Sequence, residues 1–187
     1  MTTGWDDWSA TADAAYLELA SRCDRVAVAG LSMGGTLTLW LAEHYPEIAS
    51  LLLVNPLAKP QPEITAVLVP MLEAGMETID SIGSDIAMAG SVELSYAATP
   101  LGPLATLGDA VDAIQDGFAA LTMPVLLMSS PQDHVVPPAS SEHLAAHLGG
   151  PVEWVTLERS YHVATLDHDA QLIEERSVEF LGRTLVG

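Results

Sequence analysis

Positive charge is scarce in this 187-residue chain: six lysines and arginines stand against 25 aspartates and glutamates, a formal net charge of −19. Without a basic stripe to neutralise phosphates, the sequence argues against nucleic acid and against docking on anionic membranes. Cysteine is nearly absent as well. Cys23 alone cannot close an internal disulfide, and its setting in Ser21-Arg22-Cys23-Asp24-Arg25 points to a loop or strand edge rather than to an active centre. No apolar run approaches the ~20 residues that span a bilayer, and no basic-then-apolar leader follows Met1. These absences lead to the expectation of a cytoplasmic protein without stable membrane insertion. What remains is ample core material. Hydrophobic residues make up 49% of the chain and charged residues 17%, a balance that excludes intrinsic disorder and fits one globular domain.

The hydrophobic pattern alternates between two periods. Trp8, Ala12, Ala15, Tyr16 and Leu19 form one helical stripe. A short β-branched run over residues 25–30 follows, then a helix from Met33 to Tyr45 that Pro46 stops. Ser50 to Val54 is apolar on both faces and ends at Asn55-Pro56, as a buried parallel strand does. Two further strands are expected over residues 123–129 and 152–157, with helices over about 138–148 and 168–185. The alternation predicts an α/β fold with a mostly parallel sheet of about four strands and flanking helices. Residues 57–121 break the pattern with prolines, glycines and methionines, and read as a small helical cap inserted between core segments 1–56 and 122–187.

Gly30-Leu31-Ser32-Met33-Gly34-Gly35 places a serine in the turn between an expected strand and an expected helix. This G-x-S-x-G pattern suits a nucleophile on a sharp, strained turn. A Cβ at Gly30 or at Gly34 is expected to collide with neighbouring backbone, and the Met33 N–H at the helix start would face a developing oxyanion. Serine needs a base and a group that orients the base. Asp133, in Gln132-Asp133-His134-Val135-Val136-Pro137-Pro138, and His162, in Ser160-Tyr161-His162-Val163-Ala164-Thr165-Leu166, both follow expected strands, at the edge where open parallel sheets build their sites. His134 is the rival base, but it adjoins the expected acid.

Other groupings have plainer explanations. Asp167-His168-Asp169 looks like a metal cluster, yet Asp167 before a helix reads as its N-cap and Asp169 as a favourable charge near its positive end. His143 and His147 share a helix face without a third ligand at a usable spacing. Met71, Met76, Met88 and Met123 suit an adaptable acyl pocket and equally a core filler. No metal site is expected.

The three motifs, together with the cap stretch Tyr96-Ala97-Ala98-Thr99-Pro100-Leu101, resemble the bacterial carboxylesterase and monoacylglycerol lipase family of α/β-hydrolases over nearly the whole chain. The resemblance implies Ser32 as nucleophile, Asp133 as acid, His162 as base, no cofactor, and a small carboxylic ester or monoacylglycerol as substrate. It also shows what is missing. Members of the family begin with about four more strands and carry a His-Gly-aromatic segment whose N–H completes the oxyanion hole. No His-Gly occurs here, and losing one oxyanion donor lowers rates by about 10²- to 10³-fold. The strand at residues 25–29 would become an open sheet edge. Either the chain is a truncated product starting at Met1, or it is a short protein that covers its edge by homodimerising or by binding another polypeptide. The second case makes it a catalytically weak interaction module.

Overall fold

The structure, a computed structural model, describes residues 3–81 and 83–186; Met1 and, within the expected cap, Ile82 lie outside the described residues. Helix α1 (Trp5–Ala20) begins one turn earlier than the apolar stripe suggests, because Asp6 and Asp7 occupy its first turn and the Asp7 carboxylate accepts the Gly4 N–H at 2.9 Å. Strands β1 (Ala27–Leu31) and β2 (Ser50–Val54) flank α2 (Met33–His44). After the segment that holds α3 (Pro62–Glu73), β3 (Thr78–Asp80), β4 (Ala98–Pro100) and α4 (Leu101–Ala113), the chain returns through β5 (Val125–Ser129), α5 (Ala139–His147), β6 (Val152–Thr156) and α6 (Ala170–Leu185).

The main sheet has four strands in the order β1-β2-β5-β6, and every pairing is parallel. β2 and β5 are buried along their full length. Alternate residues serve opposite layers, as the pleat requires. Leu51, Leu53, Val125 and Leu127 pack with Tyr16 of α1, Leu39 and Leu41 of α2 and Leu144 of α5, whereas Leu52, Val54, Leu126 and Met128 pack with Ile173 and Phe180 of α6. Helices thus cover both faces, which is why these strands carry unbroken aliphatic runs. Among the described residues β1 pairs with β2 alone, so it stands at the edge of the sheet.

The segment between β2 and β5 holds more than helices. β3 and β4 form a two-stranded antiparallel sheet, pairing Thr78 with Pro100 and Asp80 with Ala98. Strands of three residues, the second ending in Pro100, leave no alternation to detect in sequence. Its last part, the 3-10 helix Ile114–Ala120, inserts Ile114 and Phe118 into the core beneath α2. Met123 packs in the same core.

Candidate active site

Four turns leave the carboxyl ends of the four parallel strands, and each carries a polar residue the fold constrains. Ser32 leaves β1 with φ 55° and ψ −121°, a conformation that L-residues avoid. The neighbouring strand holds it there: the Ser32 N–H donates to Val54 O at 3.1 Å, and Ser32 O accepts the Leu57 N–H at 3.1 Å and the Gly35 N–H at 2.9 Å. α2 begins at Met33, so the first N–H groups of that helix lack intrahelical acceptors beside the serine.

The glycines of the turn divide differently from expectation. A Cβ on Gly30 would lie 2.1 Å from Gly34 O, but a Cβ on Gly34 would meet nothing within 4 Å. The second close approach belongs to Gly35, where a Cβ would lie 2.6 Å from Pro56 Cβ.

Asp133 follows β5 and His162 follows β6, and the structure brings these two together. The His162 Nδ1–H donates to Asp133 Oδ2 at 2.7 Å, with side-chain exposures of 7% and 1%. Asp133 Oδ1 accepts the N–H groups of Val135 and Val136, both at 2.8 Å. One carboxylate oxygen is therefore fixed by backbone while the other fixes the imidazole, and this tautomer leaves the Nε2 lone pair free. The half-buried Ser32 leaves the same end of the sheet. Its hydroxyl makes no hydrogen bond among the described residues; contacts of this kind often tighten only when substrate binds. His134, the rival base, pairs through Nδ1 with Asp85 at 2.8 Å instead, and its side chain is 61% exposed.

Asn55 was legible in sequence only as the end of a strand, yet it ties the other turns together. It is buried, with φ 44°. Its amide donates to Ser130 Oγ at 3.0 Å, Tyr161 O at 3.3 Å and His162 O at 2.8 Å, and its oxygen accepts the Ser130 N–H at 2.7 Å. Asn tolerates a positive φ better than most residues, and its amide serves as donor and acceptor at once. Asn55→Ala would strand buried groups on two loops. It is expected to destabilise the protein by about 2–3 kcal/mol, a melting-point loss of about 5–10 °C. Thermal denaturation followed by circular dichroism measures this.

Asp167 is not the N-cap of the helix that follows it: α6 starts at Ala170, with Asp169 as the preceding residue. The Asp167 carboxylate instead accepts the N–H groups of Ala87, Met88, Tyr161 and His168 at 2.7 to 2.9 Å. Asp169 accepts from the Arg159 N–H at 2.8 Å, the Arg159 guanidinium at 3.1 Å and the Ser160 hydroxyl at 2.9 Å. Burial pushes both carboxyls up, but these donors outweigh it and hold both below the ordinary carboxylate range. A depressed folded-state value stabilises the protein above the ordinary carboxylate pKa of about 4, and that stability is lost as pH falls through the folded value. Asp167→Asn is therefore expected to lower the melting temperature at neutral pH, with the difference from wild type narrowing on acidification; a pH series of melting curves checks it.

On α5, His143 Nε2 pairs with Gln115 Oε1 at 2.8 Å and the His147 Nδ1–H donates to His143 O at 2.7 Å. Among the described residues no group of three His, Cys, Asp or Glu is placed to hold a metal ion, and no helix is long and apolar enough to cross a membrane. A cavity of about 780 Å³ lies between α3 and α4, lined largely by apolar side chains that include Leu57, Ile64, Leu68, Val69, Leu104 and Val111. Neither Ser32 nor His162 lines it, and none of the four methionines does. Leu57 joins its wall to the serine turn through the N–H bond to Ser32 O.

Comparison with known proteins gives concordant results. The family model described as serine aminopeptidase, S33, matches residues 3–169. The thermostable monoacylglycerol lipase of Bacillus sp. (strain H-257) is 38% identical over 189 residues, a match that covers 97% of this chain and 72% of that protein. A solved structure from work on LipS and LipT, two metagenome-derived lipolytic enzymes, superposes with a TM-score of 0.91 at 36% identity, covering 97% of this chain and 74% of the other. The monoacylglycerol lipase of Paleococcus ferrophilus shares the fold, with a TM-score of 0.75 at 16% identity, covering 96% of this chain and 75% of the other.

Proposed function

We propose that this chain, which belongs to the serine aminopeptidase, S33, family of α/β-hydrolases and is a serine hydrolase of the esterase and lipase kind, cleaves carboxylic esters, monoacylglycerols among them, through Ser32, His162 and Asp133. The observation that carries this reading is the 2.7 Å His162–Asp133 pair at the sheet edge from which the strained Ser32 turn emerges. Ser32 Oγ attacks the ester carbonyl as His162 Nε2 takes its proton. His162 then passes the proton to the departing alcohol, and water hydrolyses the acyl-serine by the same steps in reverse order. Asp133 keeps the proton-bearing Nδ1 turned inward and stabilises the imidazolium. The Met33 N–H donates to the oxyanion. The chemistry calls on no cofactor.

Residues 57–121 serve in this reading as a cap, with the apolar cavity between α3 and α4 taking the acyl chain past Leu57. Its volume of about 780 Å³ falls within the range of small-molecule sites. The purified chain is to be assayed on p-nitrophenyl esters of graded acyl length and on monoacylglycerols. Hydrolysis that is lost in His162→Ala is the expected result. A folded protein that hydrolyses none of them would overturn the reading.

The edge position of β1 supports a second reading, in which this strand pairs with a second copy of the chain and the protein acts as an interaction module. Sedimentation decides it: a dimer with negligible turnover is expected on this reading, and an active monomer contradicts it.

A further inference from the structure

Part of the segment between β3 and β4 is zipped onto the loop that carries His162. Asp85 O accepts the Val163 N–H at 3.1 Å, and Ser91 Oγ donates to Leu166 O at 2.8 Å. Between them lie the Ala87 and Met88 bonds to Asp167, at 2.7 and 2.9 Å. The Asp85 side chain adds contacts to both functional loops. Its Oδ2 accepts the His162 N–H at 3.0 Å and the His134 N–H at 3.1 Å, while Oδ1 pairs with His134 Nδ1 at 2.8 Å. His134 follows Asp133 directly, so one carboxylate bridges the loop of the acid to the loop of the base.

We propose that Asp85 is a positioning residue for ester hydrolysis, holding the main chain of His162 and of the residue beside Asp133 so that imidazole and carboxylate stay in register. The proposal rests on the reading of Ser32, His162 and Asp133 given above. Asp85 touches no reacting atom; it acts through the backbone of the base. Its ring contact to His134 is the lesser part, because the His134 side chain is 61% exposed against 14% for Asp85 and water screens that pair. The main-chain contacts do more. Burial pushes the Asp85 carboxyl up, and the bonds from His134 and His162 more than offset it, so the group stays ionised as an acceptor. A displacement of about 1 Å at a catalytic group lowers rates by about 100-fold, which sets the scale for losing such a tether.

The test uses four single variants of the full chain, each checked for folding by thermal denaturation. Asp85→Ala is expected to lower kcat by about 10- to 100-fold with KM changed by no more than about twofold. Asp85→Asn, whose amide oxygen can accept both N–H groups, is expected to recover most of that loss, and His134→Gln to stay close to wild type. Asp85→Glu keeps the charge but moves it by one methylene, and is expected to behave like the alanine variant. If the alanine variant does not fold, the glutamate variant decides by the same measurements. Hydrogen exchange of the 160–166 peptide gives a readout independent of turnover, with exchange expected to quicken in Asp85→Ala and to remain at the wild-type rate in Asp85→Asn. A folded Asp85→Ala with wild-type kcat, or with wild-type exchange in that peptide, overturns the proposal. If the wild-type protein hydrolyses no ester, the hydrolytic reading fails, and the exchange data still decide whether Asp85 holds the His162 loop.

Discussion

Ser32→Ala is expected to reduce kcat on a short-chain ester by about 10⁵- to 10⁶-fold while leaving KM nearly unchanged, because in the proposed mechanism the hydroxyl forms a bond only along the reaction path. Asp133→Asn tests the next link and should cost about 10⁴-fold. The asparagine oxygen can still accept the Val135 and Val136 N–H groups that Asp133 Oδ1 holds at 2.8 Å. Its amide, however, would present a donor to His162 Nδ1, where a carboxylate now accepts at 2.7 Å. The imidazole proton would move to Nε2, and no lone pair would remain to take the serine proton. Steady-state kinetics with both variants measure this. An Asp133→Asn enzyme with wild-type kcat would contradict the role of the carboxylate.

Gly30→Ala has the largest expected effect on folding. The new Cβ would lie 2.1 Å from Gly34 O, 2.3 Å from Gly34 C and 2.5 Å from Thr38 Oγ1. Two of those atoms are backbone at the head of α2, and Thr38 Oγ1 is tied to Gly34 O by a 2.8 Å hydrogen bond. Relief requires β1 and α2 to separate at the turn that holds Ser32 at φ 55°. Overpacking of this severity should cost about 3 kcal/mol or more, a drop of about 6–12 °C in melting temperature, or leave the protein insoluble. Gly34→Ala is the control. With nothing within 4 Å of its Cβ inside a helix, alanine should stabilise by up to about 1 kcal/mol. Equal effects at the two positions would contradict the geometry of the turn.

Much of this was legible in sequence because the signals are local. The aliphatic runs of β2 and β5 announce strands covered on both faces, and Ser32 announces its turn through the glycines around it. Asp133 and His162 are visible as polar residues just beyond strand ends, although their 29-residue separation hides the contact between them. What sequence did not disclose depends on partners far along the chain. Gly35 rather than Gly34 is the crowded glycine, because the crowding comes from Pro56. Asn55 reads as a strand stop until its bonds to residues 75 to 107 positions away are seen. Asp167 looks like an N-cap, but its carboxylate is taken up by amides from residues 87 and 88, some 80 positions earlier. β3 and β4 are too short to leave a periodic trace.

The most direct test is covalent. The purified chain is treated with a fluorophosphonate probe, and the adduct is located by peptide mass spectrometry. A single phosphonyl group on Ser32, formed by the wild type, absent from Ser32→Ala and strongly slowed in His162→Ala, is the predicted result. Labelling that persists in Ser32→Ala, or a folded wild-type chain that takes up no label, would contradict it.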